Sequence, residues 1–286
     1  MMNLKCFSVN YFFSRRRWLY PLISAMVTLS LCLGTYLPSQ AVDWLPLILR
    51  GVQVVQLSSM SERQEVELGK QMNQEIVGGV KIYRNSQVNS YIQQLGQRLA
   101  ANSDRPNLPY TFQVVDDDTV NAFATLGGFV YMHTGLLKTA ANEAELASVI
   151  AHEIGHIGGK HLMKQMRQQA VASGIATATG LDRNQAISLG VNLALNLPRS
   201  RKDEFDADSR GLRSLSRSGY AQSAMVSFMQ KLLNNKRSTP TFLSTHPATG
   251  DRITALKKGI SIQPTTSTAG LDTNAYKNNI RPLVVS

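Results

Sequence analysis

His152-Glu153-Ile154-Gly155-His156 places two histidines four residues apart, with a glutamate beside the first. Ala144, Leu146, Ala147, Val149, Ile150 and Ala151 precede them, so the segment reads as a helix driven into an apolar core. Asn142 and Glu145 form a capping signature for its start, and the helix is expected to run to about Ile157. On such a helix the two imidazoles lie one turn apart on one face and can reach a single ion. Glu153 stands where it can take a proton from water activated by that ion. With five histidines in 286 residues, chance supplies only about 0.002 such matches. The plain alternative is a buried helix whose two histidines are satisfied by hydrogen bonds.

Catalytic zinc usually takes three protein ligands and keeps a fourth position open. A third histidine in an H-x-x-G-x-x-H arrangement fails here: Gly159 fits, but position 162 is Leu and His161 comes one residue early. Glu204 is the only glutamate downstream of His156, on an expected helix over about 200–217. Asp208 lies one turn further on the same face, where a carboxylate can hold a ligating histidine by its other ring nitrogen. Asp203 and Asp206 point elsewhere and read as solvated. The competing reading of Glu204 is a surface salt bridge.

The remaining elements frame this pair of helices. Ser61 and Gln64 make a capping box opening a helix toward Ile76, and Val77 to Tyr83 reads as a short strand. Val88, Ile92, Leu95 and Leu99 recur at helical spacing. Tyr110 to Val115 and Phe129 to His133 read as strands, the second introduced by Gly127-Gly128. Helices are expected within 164–197 with a break near Gly180 to Arg183, then over Ala221 to Asn234 and Ala248 to Lys258. The expected fold is α+β and predominantly helical, zincin-like, with a small sheet beside the two-histidine helix. The Thr-, Asn- and Ser-rich stretch 261–286 reads as a loose polar tail.

Residues 1–41 read as a secretory signal or an N-terminal anchor. Lys5, Arg15, Arg16 and Arg17 precede an apolar run from Trp18 to Leu37, and small residues lead to a possible cut after Ala41. The run is long for a signal and almost long enough to span a bilayer. A lipoprotein reading through Cys32 is weakened by Leu31 before it. Residues 42–60 form an apolar lead-in that packs on the domain or on a membrane surface. The net charge of +11 falls to +7 without the first 41 residues, with 26 basic against 19 acidic side chains. The remaining cations, among them Arg63, Arg98, Arg167 and Arg199 to Lys202, are scattered and read as solvated faces. No nucleic-acid surface is expected. Both cysteines, Cys6 and Cys32, belong to the leader, so the body of the chain has no thiol for a disulfide or a nucleophile.

Over roughly 61–260 the chain resembles the M48 family of zinc metallopeptidases, in its soluble exported branch. The matching motifs are Asn121-Ala122-Phe123-Ala124, Gly127-Gly128 with Phe129 to Leu137, and the two-histidine helix with His161. Ser200-Arg201 with Glu204 and Ala207-Asp208, and Ser244-Thr245-His246-Pro247 with Arg252, complete the set. The resemblance implies one Zn2+ per chain held by His152, His156 and Glu204, with Glu153 as the catalytic glutamate. It also implies an endopeptidase acting on exported, misfolded or unassembled envelope proteins in the periplasm. An extended or unfolded polypeptide is then expected to add as a strand beside the active helix. Asn121, Gly127, Gly128, Phe129, Val130 and Tyr131 are the candidate substrate-binding residues, Phe129–His133 being read as an edge strand. An ordinary core strand is the alternative. His246 sits before a proline in a loop-like segment and is not expected to be buried by helical packing. It has three open roles: stabilising an oxyanion, closing the site as a fourth ligand, or capping backbone. Arg252 organises that loop or pairs with Glu204 or Asp208. His133 and His161 read as structural. The rival function is an envelope chaperone or adaptor that binds extended chains with a latched or weakly active zinc site.

Overall fold

A computed structural model describes residues 54–174, 180–234, 240–247, 250–264 and 266–284. The expected leader and most of the apolar lead-in lie outside the described residues. The end of the lead-in, β1 (Val54–Val55), pairs antiparallel with β5 (Leu181–Asp182). No helix among the described residues is long and apolar enough to cross a membrane.

Helix α1 (Glu62–Gly79) opens on the reciprocal capping box, the Ser61 N–H donating to Gln64 Oε1 at 2.8 Å. Leu68, Met72 and Ile76 form its buried stripe. The helix continues to Gly79, so the strand expected over Val77 to Tyr83 does not form. Helix α2 (Ser86–Ala101) is already capped by Asn85, which leaves room only for a single bridge from Ile82 to Val115. Val88, Ile92, Leu95 and Leu99 of α2 are buried as their spacing requires.

The sheet has three strands in the order β2 (Thr111–Val115), β4 (Phe129–His133), β3 (Ala122–Ala124). β2 runs parallel to β4 and β3 antiparallel to it. β4 is therefore the central strand, and the edge position expected for it is corrected. Its unbroken apolar run, buried at every residue, is what a strand covered on both faces requires. Gly127 and Gly128 take positive φ of 74° and 95° and turn the chain into β4.

After α3 (Thr134–Thr139) comes α4 (Glu143–Gly158), buried continuously from Ala144 to Ile157. Asn142 caps it through the Glu145 N–H, while the Glu145 carboxylate reaches back to the Ala141 N–H. Helices α5 (His161–Ala172), α6 (Arg183–Asn196) and α7 (Arg201–Arg217) follow. The closest partner of α4 is α7, whose Glu204, Ala207, Asp208, Gly211 and Leu215 line the contact. Glycines permit that approach: a Cβ on Gly155 would fall 2.5 Å from Ala207 O, and one on Gly211 3.0 Å from Ala151 O. Helices α8 (Ser223–Leu233), α9 (Thr241–Thr245) and α10 (Gly250–Ile262) cover the far side of this pair.

The tail is not loose. It forms α11 (Thr273–Asn279) and α12 (Arg281–Val284), burying Tyr276, Ile280 and Leu283 against the main core. Gly270 O also accepts the Ala144 N–H at 2.9 Å, supplying a partner to the first turn of α4. Polar composition hid a stripe at i, i+4 and i+7 behind an Asp272 cap.

Candidate metal centre

Four buried side chains converge where α4, α7 and the end of α9 meet. They are His152 and His156 from α4, Glu204 from the first turn of α7, and His246 just after α9. His152 Nε2 lies 3.1 Å from His156 Nε2 and 3.3 Å from His246 Nδ1. Glu204 Oε1 lies 3.2 Å from His156 Nε2 and 3.1 Å from His246 Nδ1, and its Oε2 is 3.6 Å from His152 Nε2. Ligand atoms about 2.0–2.1 Å from a tetrahedral zinc stand about 3.3 Å from one another. The donor spacing therefore fits such an ion, and the imidazole–carboxylate donor chemistry suits it. Glu153 adds a further sign: it is fully buried, and neither carboxylate oxygen has a hydrogen-bond donor among the described residues. A buried carboxylate in that condition is costly unless a cation or polar ligand shares the site.

The charges are arranged accordingly. Burial opposes ionisation of Glu204, but the facing imidazoles of His246, His152 and His156 outweigh it and hold its carboxyl below the ordinary range. Burial drives His156 well below the usual histidine range, keeping it neutral. Burial works against charge on His152 too, yet the Asp208 and Glu204 carboxylates overcome it and push His152 up to about 9. Asp208 Oδ1 sits 3.0 Å from His152 Nδ1. Arg252 donates from Nε and Nη2 to the two Asp208 oxygens, both at 2.7 Å, and its Nη1 lies 2.6 Å from Glu204 Oε2. It also donates to Pro247 O, so one guanidinium ties both acids of α7 to the loop after His246.

Several placements differ from the sequence expectation. His246 is 1 % exposed, buried by ring stacking on Phe242 at 4.6 Å, with no long helix needed. Phe129, Val130 and Tyr131 are enclosed in the central strand and so cannot receive a peptide by strand addition, and Gly127-Gly128 form the turn before it. Asn121 precedes β3 and is buried, with its Oδ1 unpartnered among the described residues. The edge strands are β2, bridged at Val115 by Ile82, and β3. Hydrogen bonds from the flanks of β3 to β4, His133 N–H to Asn121 O and Thr125 N–H to Phe129 O, set the alternation so that Ala122 and Ala124 turn their backbone groups away from β4. His133 contacts Thr119 Oγ1 at 2.7 Å, away from the donor cluster.

Arg199 reads in the sequence as one of many scattered cations, but it is buried. Its N–H donates to Thr245 O and its Nη1 to Gln165 Oε1, while its Nε has no partner among the described residues. It lines a small pocket with His156, His161 and Thr125. A second small pocket opens beside His152 and His246 between Met225, Phe228, Met229 and Phe242. No local sequence signal identifies either set, because both are assembled from separate elements.

A two-histidine helix packed on a glutamate-bearing helix beside a small sheet defines the zincin class of metallopeptidases. More narrowly, residues 86–260 match the model of peptidase family M48, and the chain belongs to that family of metalloendopeptidases. It is 30 % identical over 80 % of its length to the beta-barrel assembly-enhancing protease of Escherichia coli, covering 47 % of that protein. It is 32 % identical over 68 % of its length to the protein of that name from Yersinia pestis, covering 44 %. The mitochondrial metalloendopeptidase OMA1 of Schizosaccharomyces pombe is 30 % identical over 59 % of the chain, with 52 % of that protein covered. The chain thus spans about half the length of the curated relatives it matches.

Proposed function

We propose that this chain is a zinc-dependent endopeptidase cleaving exported, misfolded or unassembled envelope proteins presented as extended polypeptide. The observation that carries the reading is the tetrahedral spacing of buried donors next to a buried glutamate that accepts no hydrogen bond among the described residues and stands 3.5 Å from His246 Nε2. His152 and His156 through Nε2, and Glu204 through its carboxylate, would hold one Zn2+. Bound zinc supplies a Lewis acid that polarises a carbonyl and acidifies water. Glu153 holds a proton at its carboxylate and passes it to the leaving amine. Asp208 orients His152, and Arg252 holds Asp208 in turn. An extended substrate aligns along Ala122 and Ala124 of β3, whose outward backbone groups replace the β4 surface first expected.

His246 is read as a fourth ligand that closes the site, because its Nδ1 stands within the donor set. Closure is consistent with the burial of Ala122 and Ala124. A second reading therefore has support, that of an envelope chaperone or adaptor with a latched zinc site. The leader-like N-terminus and the names of the bacterial relatives support a periplasmic or envelope setting. Contact with a membrane surface is assigned to the N-terminal segment.

The experiment is zinc analysis and casein digestion by the full chain beside Glu153→Gln. One zinc with Glu153-dependent cleavage is expected. Zinc without cleavage favours the latched adaptor, and absence of zinc from protein with intact His152, His156 and Glu204 overturns the site.

A further inference from the structure

The two histidines of α4 are held by different means. His152 meets the Asp208 carboxylate directly. At the Nδ1 of His156 stands another imidazole nitrogen, His161 Nδ1, 2.9 Å away. His161 Nε2 in turn lies 3.0 Å from Asp206 Oδ2, one turn before Arg210, whose Nε donates to the same oxygen at 2.7 Å. We infer that His161 and Asp206 form an orienting relay for His156, fixing its tautomer and ring plane for zinc. The inference rests on the zinc reading above.

The proton order follows from the positions. His156 Nε2 faces His152 and Glu204 and keeps its lone pair for the ion, so the ring proton sits on Nδ1 and is donated to His161. His161 accepts at Nδ1 and therefore carries its own proton on Nε2, donated to Asp206. Arg210 anchors that carboxylate and pairs with Asp104 at the surface.

The chain is bent to make this contact. Residues five apart on a continuous helix point about 140° away from each other, so His156 and His161 meet only if the helix breaks between them. The break places Lys160 in the left-handed region at φ 52°, a conformation unfavourable for a residue other than glycine. Gly159 is equally tied to it: a Cβ there would fall 2.1 Å from His161 Nε2. The outcome is a histidine 1 % exposed with both ring nitrogens engaged. A residue present only to fill space requires neither the left-handed turn nor two aligned partners.

The test is zinc affinity of the full chain, by competition with a chromophoric chelator, in wild type, His161→Leu, His161→Asn and Asp206→Ala. His161→Leu is expected to weaken zinc about 10–100-fold, the range typical of lost partners behind a ligating histidine. His161→Asn should recover most of it, since its Oδ1 occupies the place of the accepting Nδ1. Asp206→Ala should weaken binding in the same direction by a smaller factor. Unchanged affinity in His161→Leu, or no recovery in His161→Asn, overturns the relay. If His161→Leu does not fold, Asp206→Ala decides, because its side chain is 39 % exposed, and wild-type affinity there overturns the relay. Failure of the wild type to bind zinc overturns the site reading instead, and the two failures are distinguishable.

Discussion

His246 Nδ1 lies 3.1 Å from Glu204 Oε1, across 42 residues of sequence. The helix pair α4 and α7 supplies three donors, and this contact brings a fourth from outside the pair. A closed four-ligand arrangement is the mark of a structural zinc site, whereas a catalytic one keeps a position open. Replacing His246 with alanine should therefore raise casein hydrolysis several-fold while weakening zinc retention under a chelator. A fall in activity with zinc retention unchanged would assign His246 to oxyanion stabilisation. The two roles differ in the sign of the effect, so a single rate comparison separates them.

Glu153 touches none of the donors through a hydrogen bond among the described residues. Glu153→Gln should keep the zinc content of the wild type. It should lower peptide hydrolysis by at least about 100-fold, the scale of a lost general base. Parallel loss of zinc and activity would instead make Glu153 part of the binding set.

Zinc uptake should be coupled to proton release. His152 of the metal-free protein is held up to about 9 by Asp208 and Glu204 against burial, so near neutral pH it must lose a proton to become a ligand. Apparent affinity should rise close to tenfold per pH unit up to about pH 9 and then level. Calorimetry in buffers of differing ionisation enthalpy should count close to one proton from this residue at pH 7.5. For folding of the metal-free protein the sign is opposite. Protonated His152 stabilises it fully below about pH 6.5, the unfolded value, and the contribution is lost as pH rises through about 9.

Chelation should lower thermal stability. A ligand at a thousandfold excess over its dissociation constant contributes about 4 kcal/mol. For a domain of this size each kcal/mol moves the midpoint by about 2–4 °C. Removal of zinc with a chelator should thus lower Tm by roughly 10 °C, reversibly on adding zinc back.

Tyr276 ties the tail to the body by burying its ring and donating its hydroxyl to Leu137 O at 2.6 Å. Tyr276→Ala should cost about 3 kcal/mol, as large-to-small changes at buried aromatic sites do. Urea unfolding measures this directly. A change within about 0.5 kcal/mol would show the tail to be dispensable for the fold.

What could be read from the sequence was local. The Ser61–Gln64 cap, the stripe of α2, the extent of β4 and the helix carrying Glu204 all follow from spacing within one element. What escaped depends on contacts between elements. The central place of β4 is set by pairing with β2 and β3, and no pattern inside Phe129–His133 distinguishes it from an edge. His161 looked idle because its partner is five residues away on a helix, a distance at which side chains do not meet unless the helix ends. Asp206 looked solvated because its local partner, Arg210, reads as a surface pair, and the buried partner, His161, returns to it from another helix. His246 is buried by a ring four residues earlier, in a segment whose proline suggested an open loop. The tail is a different case: Tyr276, Ile280 and Leu283 carried the helical stripe, and polar composition outweighed it.

Gly155 and Gly211 have a consequence for how such a site can change. Each faces the main chain of the opposite helix at the height of the metal residues, one helix bearing the imidazoles and the other the carboxylate. The width of the jaw that grips the ion is thereby calibrated by two absent methyl groups. Substitution elsewhere on either helix can retune charge or access while the gauge stays fixed. A single added carbon at Gly155 resets it.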